Sequence, residues 1–373
     1  MNILAYVQLR NIYGSTGHGR FARQITEHMA QTAEDQLHIL ADPIDHQRIV
    51  HKVGAPWDEF PYHFFDKETS TQQARWALTD NPTAEHYWPE AQIVYCAGES
   101  YVPTRKARLV VTLHDAALFE PGAHKQSWWL FKQKLKKRYL CHILSRKADI
   151  VHTISDFSAE RIAHFFPAIA PRLRVVHLAA PPRFFQPVSV EGENFLRQND
   201  LTARPFVLLP GGLHQRKNAD LVLKAWPLIH QSHPDLDLVI SGHNDSRYLP
   251  AADALGNSVK RTGFINDEAL CSLYHAAQVV WFPSLCEGFG IPIVEAMACG
   301  TPVVTSNATS LPEVAGDAAL LVSPKSLAEH VEAIDALLND SRQREDLVMR
   351  GKNRAQQFTW PRTVAQLRKH FYA

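Results

Sequence analysis

Short apolar runs alternate with amphipathic stretches along the whole chain. An apolar run bounded by turn residues is typical of a buried strand, and an amphipathic stretch of helical period is typical of a helix. Strands that alternate with helices predict an α/β protein built on parallel sheets. The predicted strands are residues 3–7, 37–40, 93–96, 109–113, 150–154 and 173–177, then 206–209, 236–240, 259–263, 279–283, 303–305 and 319–322.

Chain length and one proline-containing segment divide this pattern in two. The chain has 373 residues, which suits two domains of about 180 residues each. Residues 179–203 contain Pro181, Pro182 and Pro187 with little periodicity, and they predict an interdomain linker. We therefore expect two successive Rossmann-like domains with a cleft between them, and ligands beyond the carboxyl ends of the strands.

The most informative motif is the run 287–295, which follows the predicted strand 279–283. It places Glu287 and Glu295 on either side of a glycine-containing turn that opens a predicted helix over 293–299. Backbone N–H groups at a helix N-terminus bind anions. Carboxylates beside a phosphate site are suited to hold hydroxyl groups, so this motif predicts a nucleotide-sugar ligand.

Three further motifs stand at predicted strand ends. The glycine-containing loop 14–20 follows the first strand, the pair His114-Asp115 follows the strand 109–113, and the run 211–218 follows the strand 206–209. Arg216 and Lys217 in the last run precede a helix, where cations are unfavourable unless an anion binds. A phosphate partner is therefore expected there, although a simple charge pair at a helix start is the alternative.

Composition narrows the function classes. Lys and Arg number 39 against 38 Asp and Glu, so the overall charge does not indicate nucleic-acid binding. Five cysteines without a CxxC pair argue against a disulfide framework or a structural zinc site and favour a reducing cytoplasm. No basic segment precedes the first apolar run, and no apolar run reaches membrane-spanning length, so we expect a cytoplasmic protein.

Residues 123–148 form a basic segment with many aromatic residues. They contain eight Lys or Arg residues and no acidic residue, together with Trp128, Trp129, Phe131 and Tyr139. Such a helix can lie on an anionic membrane surface. The alternative is a helix with a core-facing stripe and a solvated basic face.

Taken together, the motifs resemble those of GT-B glycosyltransferases of the large retaining family four, in their mannosyltransferase-like branch. The resemblance covers nearly the whole chain. It depends on the Glu-x7-Glu element 287–295 with the run 310–319 behind it, on 216–218, on His114-Asp115 and 153–158, and on the closing segment 358–360. It implies an N-terminal acceptor domain at 1–180, a C-terminal donor domain at 181–357, and a segment 358–373 that returns to the first domain.

The resemblance assigns roles to residues of the second domain. Glu287 would hold hydroxyls of the donor sugar and Glu295 those of the ribose, while Arg216 and Lys217 would neutralise the diphosphate leaving group. Ile265 would contact the base. Backbone amides near two further residues would meet the sugar and diphosphate: Phe289 and Gly290.

In the first domain, Gly17 would let the backbone approach the phosphates, and His114 would touch the donor sugar or the reacting centre. Two positions depart from the family pattern. Gly211 stands where many relatives carry a second basic residue, and Thr16 replaces the first glycine of a Gly-Gly pair. These departures leave more of the phosphate charge to Arg216.

The implied reaction moves a hexose, with mannose favoured, from a nucleotide-diphosphate sugar to a saccharide or lipid-linked acceptor. GDP-mannose is the preferred donor and UDP-sugars come next. No cofactor or metal is expected, because Arg216 and Lys217 supply positive charge. Front-face substitution fits better than a covalent intermediate, since Glu295 is committed to the ribose. Alternatives are a UDP-sugar 2-epimerase, a non-catalytic nucleotide-sugar-binding subunit and, least favoured, a nicotinamide dehydrogenase.

Overall fold

A computed structural model describes residues 1–13, 17–32, 35–120 and 127–372. These residues form two compact units. The described residues of the first unit lie within 1–119, 127–178 and 360–372, and most of the second unit is Ala179–Thr359. Each unit is built around its own parallel sheet.

Among the described residues, the sheet of the first unit has seven strands and that of the second has six, and every pair of neighbouring strands is parallel. The strand order is β3-β2-β1-β4-β5-β6-β7 in the first and β10-β9-β8-β11-β12-β13 in the second. The strands are β1 (Asn2–Tyr6), β2 (Gln36–Ala41), β3 (Tyr62–Phe64), β4 (Ile93–Cys96), β5 (Arg108–Thr112), β6 (Ile150–Thr153), β7 (Leu173–Val175), β8 (Phe206–Pro210), β9 (Asp237–Ser241), β10 (Val259–Gly263), β11 (Val279–Phe282), β12 (Val303–Ser306) and β13 (Leu320–Val322).

Helices connect the strands and cover the sheets, as parallel pairing requires. They are α1 (Leu9–Tyr13), α2 (Gly17–Ala30), α3 (Pro43–Val53), α4 (Thr69–Thr79), α5 (Ala84–Tyr87), α6 (Trp128–Lys147), α7 (Asp156–Phe165), α8 (Val190–Gln198), α9 (Ala219–Ser232), α10 (Leu249–Asp253), α11 (Asp267–Ala276), α12 (Ile291–Cys299), α13 (Leu311–Ala315), α14 (Leu327–Asn339), α15 (Ser341–Ala355) and α16 (Trp360–Tyr372).

The last helix, α16, belongs to the first unit. Its Thr363 hydroxyl donates to the His177 carbonyl at 2.9 Å, and Arg368 pairs with the buried carboxylate of Asp35 at 3.0 Å. Phe371 is buried and lies beside Tyr95 of β4. The terminal segment is therefore fixed to the first sheet through both apolar and polar contacts.

The predicted linker at 179–203 is in part a helix. Ser189 begins α8 as an N-cap, because its hydroxyl oxygen accepts from the Gly192 N–H at 3.1 Å. Only Gly192 and Leu196 are buried in this helix, which explains why apolar periodicity did not reveal it. A 3-10 turn at Pro182–Phe185 occupies much of the remaining proline-containing stretch.

Candidate functional site

The loops after β8 and β11 carry the central group of predicted residues. β8 lies between β9 and β11, so the strand order reverses at β8 and the two loops meet at the switch point where such sheets bind ligands. The Leu285 N–H donates to the Arg216 carbonyl at 2.8 Å and ties the loops together. Residues separated by about 70 positions in sequence are thereby brought into contact.

Two cations share the carboxylate of Glu287. A guanidinium nitrogen of Arg216 donates to Glu287 Oε2 at 2.5 Å, and Lys217 Nζ lies 2.8 Å from Glu287 Oε1. Arg216 also donates to the Cys286 carbonyl at 2.9 Å. The Arg216 side chain is 37% exposed, whereas Glu287 and Lys217 are largely buried. We call Arg216, Lys217 and Glu287 the charged triad.

The side chain of Lys217 is fixed by its contacts with Phe282 and Gly211. Its ammonium lies over the Phe282 ring, 4.1 Å from the centroid, a cation–π contact at the end of β11. Gly211 has φ +92°, and a Cβ built there would lie 3.0 Å from Lys217 Cε. The glycine that replaces the family's second basic residue therefore leaves room for the lysine stem.

The triad fixes the charge state of Glu287. Burial by itself would raise the pKa of Glu287, but Lys217 and Arg216 oppose it and lower the pKa to about 2. Burial lowers the pKa of Lys217, with repulsion from Arg216 in the same direction and attraction to Glu287 and Glu295 against it. Glu287 is therefore a carboxylate at every physiological pH, able to accept hydrogen bonds but not to donate a proton.

Hydrogen bonds with Thr309 and Ser310 fix the turn between Glu287 and α12. The Ser310 hydroxyl lies 3.0 Å from the carbonyl oxygen of Glu287 and 2.8 Å from that of Phe289, and the Thr309 hydroxyl accepts from the Glu287 N–H at 3.1 Å. Thr309 has φ +55°, a strained conformation for a β-branched residue. Gly290 has φ +112° and precedes α12; a Cβ there would lie 2.8 Å from Leu311.

Glu295 and Ile265 are the two other side chains of the second unit that were predicted to bind the donor. Glu295 is on α12, is 2% exposed, and accepts from the Tyr274 hydroxyl at 2.9 Å. Tyr274, which sequence analysis did not select, thus orients the carboxylate assigned to the ribose. Ile265 is half-buried between β10 and α11, beside the exposed Phe264. The roles of both residues stay predictions.

The first unit contains the other two predicted residues. His114 is buried after β5, and its ring lies 4.1 Å from that of His18, the residue after Gly17 at the start of α2. The structure therefore places His18, the neighbour of Gly17, in contact with His114. A Cβ built at Gly17 would meet no atom within 4 Å. The rest of the predicted loop, residues 14–16, lies outside the described residues.

A buried lysine supports the turn at His114. Lys137 of α6 donates to the Asp115 carbonyl at 2.6 Å and to Glu99 at 2.8 Å. The pKa of His114 lies well below its ordinary value, first because of burial and then because His18, Lys137 and His152 disfavour a second positive charge. His114 is therefore neutral at physiological pH. Sequence reasoning missed Lys137 and Glu99.

His152 provides a prediction on stability. It is fully buried on β6, and burial, with repulsion from His370, lowers its pKa from 6.5 to about 3. Between pH 6.5 and pH 3, His152 binds a proton in the unfolded chain but stays neutral in the folded chain. We expect His152 to lower the free energy of unfolding by roughly 1.4 kcal/mol per pH unit from pH 6.5 toward pH 3, and to have no such effect at higher pH.

Urea unfolding at pH 7.5 and at pH 5 measures this dependence. The His152→Asn variant should lose less stability between the two pH values than the wild type, whereas His51→Asn, at an exposed position of α3, should behave as the wild type. An unchanged pH dependence in His152→Asn would contradict the assignment.

The basic aromatic segment forms α6, with residues 123–126 outside the described residues. Trp128 and Trp129 are 69% and 63% exposed, and Phe131, Leu135 and Tyr139 are also exposed. Trp128 stacks on Phe131 at 5.3 Å between ring centroids. The large apolar side chains of this helix therefore lie partly on the surface, beside its basic residues. Over the described ranges of the chain, no helix is long and apolar enough to cross a membrane.

The sequence is similar to a glycosyltransferase family model and to two mannosyltransferases of known name. A family model described as "Glycosyl transferases group 1" matches residues 193–354. The O-antigen chain mannosyltransferase B of Escherichia coli is 33% identical over 284 residues, covering 73% of this chain and 72% of that protein. The MMP alpha-(1->4)-mannosyltransferase of Mycolicibacterium hassiacum is 29% identical over 250 residues, covering 64% of this chain and 58% of that protein.

A solved structure, Anabaena HepE in complex with UDP-glucose, aligns with a TM-score of 0.72 at 20% identity. The alignment covers 100% of this chain and 99% of that chain. At this identity the likeness concerns the fold alone.

Proposed function

The chain belongs to the glycosyl transferases group 1 family and has the GT-B fold, and from this premise we propose that it transfers mannose from GDP-mannose to a saccharide or lipid-linked saccharide acceptor, with retention of configuration. The proposal requires a site for a nucleoside diphosphate joined to a sugar. The meeting of Arg216, Lys217 and Glu287 in the loops after β8 and β11 supports such a site in the second unit.

The charged triad is the observation that carries this proposal. A diphosphate needs cations and backbone amides, and a sugar needs hydroxyl acceptors. Arg216 and Lys217 supply the cations beside the N-terminus of α12, and the permanently ionised Glu287 supplies an acceptor. A bound divalent metal is not required, since it would be repelled by the two cations next to the carboxylate.

The mechanism follows from what each group can do. As the bond between sugar and phosphate breaks, negative charge grows on the diphosphate, and Arg216 and Lys217 stabilise it. Glu287 cannot deliver a proton because its pKa is about 2. We propose that an oxygen of the donor phosphate takes the acceptor's proton on the same face of the sugar. Positioning and leaving-group stabilisation then supply most of the rate enhancement.

The E. coli and M. hassiacum relatives are both described as mannosyltransferases, which favours mannose as the transferred sugar. A thermal-shift panel of GDP, UDP, ADP and their sugars tests the donor, because a ligand that binds only the folded state raises the melting temperature. We expect GDP and GDP-mannose to give the largest shifts. A larger shift with UDP-glucose, the ligand of the HepE complex, would instead indicate that the donor is a UDP-hexose.

Product analysis separates this function from its alternatives. A transferase forms a glycoside only when an acceptor is present. A 2-epimerase would convert the donor with no acceptor, and a binding subunit would bind the donor without turning it over. An α-linked product from GDP-α-mannose would support retention.

We also propose that α6 contacts an anionic membrane, where a lipid-linked acceptor would be found. Exposed tryptophans beside lysine and arginine side chains are suited to the interface, and each basic residue near the surface adds about 1 kcal/mol. We expect the purified protein to bind anionic vesicles and not neutral ones.

Replacing both Trp128 and Trp129 with serine should weaken vesicle binding about tenfold or more, because it removes the side chains that insert among the headgroups. Sedimentation with vesicles of graded anionic content measures the change. Met349→Ser, which removes an exposed apolar side chain from α15 in the second unit, is the matched control. Failure of the wild type to bind either vesicle type would refute the membrane proposal.

A further inference from the structure

Three potential metal ligands meet on the second unit away from the charged triad. Cys271 and His275 lie one turn apart on α11, and Cys299 is the last residue of α12. One ligand atom from each of them lies within 4.8 Å of the other two. The sequence predicted no structural zinc site because it has no CxxC pair. The fold brings Cys299 close to Cys271 and His275, although it is more than 20 residues away in sequence.

The spacing is close to that of a metal site. Two sulfur ligands in a tetrahedral zinc site with bonds of about 2.3 Å lie about 3.8 Å apart. Atoms already within 4.8 Å of one another need only a small side-chain adjustment to reach this geometry. The Cys271 thiol donates to the Arg183 carbonyl at 3.6 Å and the Cys299 thiol to the Phe184 carbonyl at 3.5 Å, so both sulfurs face the same 3-10 turn at Pro182–Phe185.

His275 is oriented as a ligand would be. Its Nε2 lies 3.1 Å from the carbonyl oxygen of Gln186. A carbonyl only accepts, so Nε2 carries the hydrogen and Nδ1 carries the lone pair that can bind a metal. A second nitrogen that donates to a backbone carbonyl is the usual support of a metal-binding histidine.

The ligand chemistry selects the ion. Two thiolates and an imidazole favour zinc and similar thiophilic cations, and they disfavour magnesium or calcium, which prefer oxygen. Two thiolates also balance the charge of a divalent ion inside the protein. Cys271 and Cys299 are buried and His275 is half-buried, so the ion would enter from the histidine side.

We propose that Cys271, His275 and Cys299 bind one thiophilic divalent cation and thereby join α11 to α12. The same two helices carry Tyr274 and Glu295, whose 2.9 Å hydrogen bond lies within one turn of the ligands on each helix. The ion would stabilise the packing that orients Glu295. The site can be tested separately from the proposed transferase activity, because its test needs no substrate.

Spectroscopy with cobalt as a probe tests the site. Full-length protein is stripped with a chelator, kept reduced with a phosphine, and titrated with Co²⁺ and then Zn²⁺. We expect one Co²⁺ per chain, a thiolate-to-cobalt charge-transfer band, tetrahedral ligand-field bands, and displacement by Zn²⁺. Cys271→Ser and Cys299→Ser should abolish the charge-transfer band, whereas Cys141→Ser, in α6 of the first unit, should keep it.

His275→Gln provides a variant at a half-buried position that should fold. It should raise the apparent Kd for Co²⁺ about tenfold or more and reduce the increase in melting temperature given by Zn²⁺. No charge-transfer band in the reduced wild type at one equivalent of Co²⁺ would overturn the proposal. A band that survives in the Cys271→Ser/Cys299→Ser double variant, or an unchanged Kd in His275→Gln, would do the same.

Discussion

Glu287→Gln should lower kcat/KM by roughly 100-fold, equivalent to about 2.7 kcal/mol of transition-state stabilisation. The amide keeps the shape of the side chain but removes the charge that faces Arg216 and Lys217 at 2.5 and 2.8 Å. It also leaves the buried ammonium of Lys217 without its carboxylate partner. We therefore expect a loss of roughly 1 to 3 kcal/mol in the free energy of unfolding as well.

Steady-state kinetics with GDP-mannose, together with urea unfolding, separates the two effects. Glu345→Gln, at an exposed position of α15 in the same unit, is the matched control and should change neither kcat/KM nor stability. A Glu287→Gln enzyme that turns over at the wild-type rate would remove Glu287 from the sugar-binding role.

The second large effect is expected for Lys217→Met, which should weaken GDP binding roughly 100-fold. Methionine keeps much of the apolar stem that lies beside Gly211 but removes the cation that lies over the Phe282 ring. The loss should exceed that of Arg216→Met, because Lys217 is buried and its charge is screened less than that of the 37% exposed Arg216. Isothermal titration with GDP measures both.

A double-mutant cycle sharpens this prediction. Arg216 and Lys217 pair with the same carboxylate, so their effects on GDP binding should not be additive. Lys325→Met, at an exposed position of the second unit, is the control and should bind GDP as the wild type. Full GDP affinity in Lys217→Met would contradict the assignment of the diphosphate to the triad.

The two parallel-sheet α/β domains predicted from the alternating pattern are confirmed, because buried parallel strands are mostly apolar and stand out in the sequence. The GT-B fold implied by the family resemblance is confirmed as well. The strand β3 was missed. It has three residues, Tyr62, His63 and Phe64, and none of them is buried, so it shows no core-facing run. Such an edge strand is set by its neighbour β2 rather than by its own composition.

The motifs of the site could be predicted from the sequence, but the contacts between their side chains could not. Arg216 and Glu287 were each selected from local features, but their ion pair depends on β8 and β11 being neighbours, which local pattern does not specify. Likewise, Lys137 is one of eight basic residues in 123–148, and nothing in the sequence marks it as a buried lysine that supports the His114 turn.

Side-chain roles that depend on backbone conformation were also beyond the sequence. Thr309 has a positive φ and a hydroxyl that accepts from the Glu287 N–H, and neither property follows from a threonine in a polar turn. Gly211 resembled a lost basic residue, whereas the structure shows that it leaves space for Lys217. Contacts between distant segments decide both cases.

A crystal structure of the protein grown with GDP is the most direct test of the nucleotide site. We expect the diphosphate within hydrogen-bond distance of Arg216 and Lys217, at the ends of β8 and β11, with amides of the turn before α12 on its other side. Diphosphate density bound at another place on the second unit, with the triad unchanged, would contradict the proposed donor site.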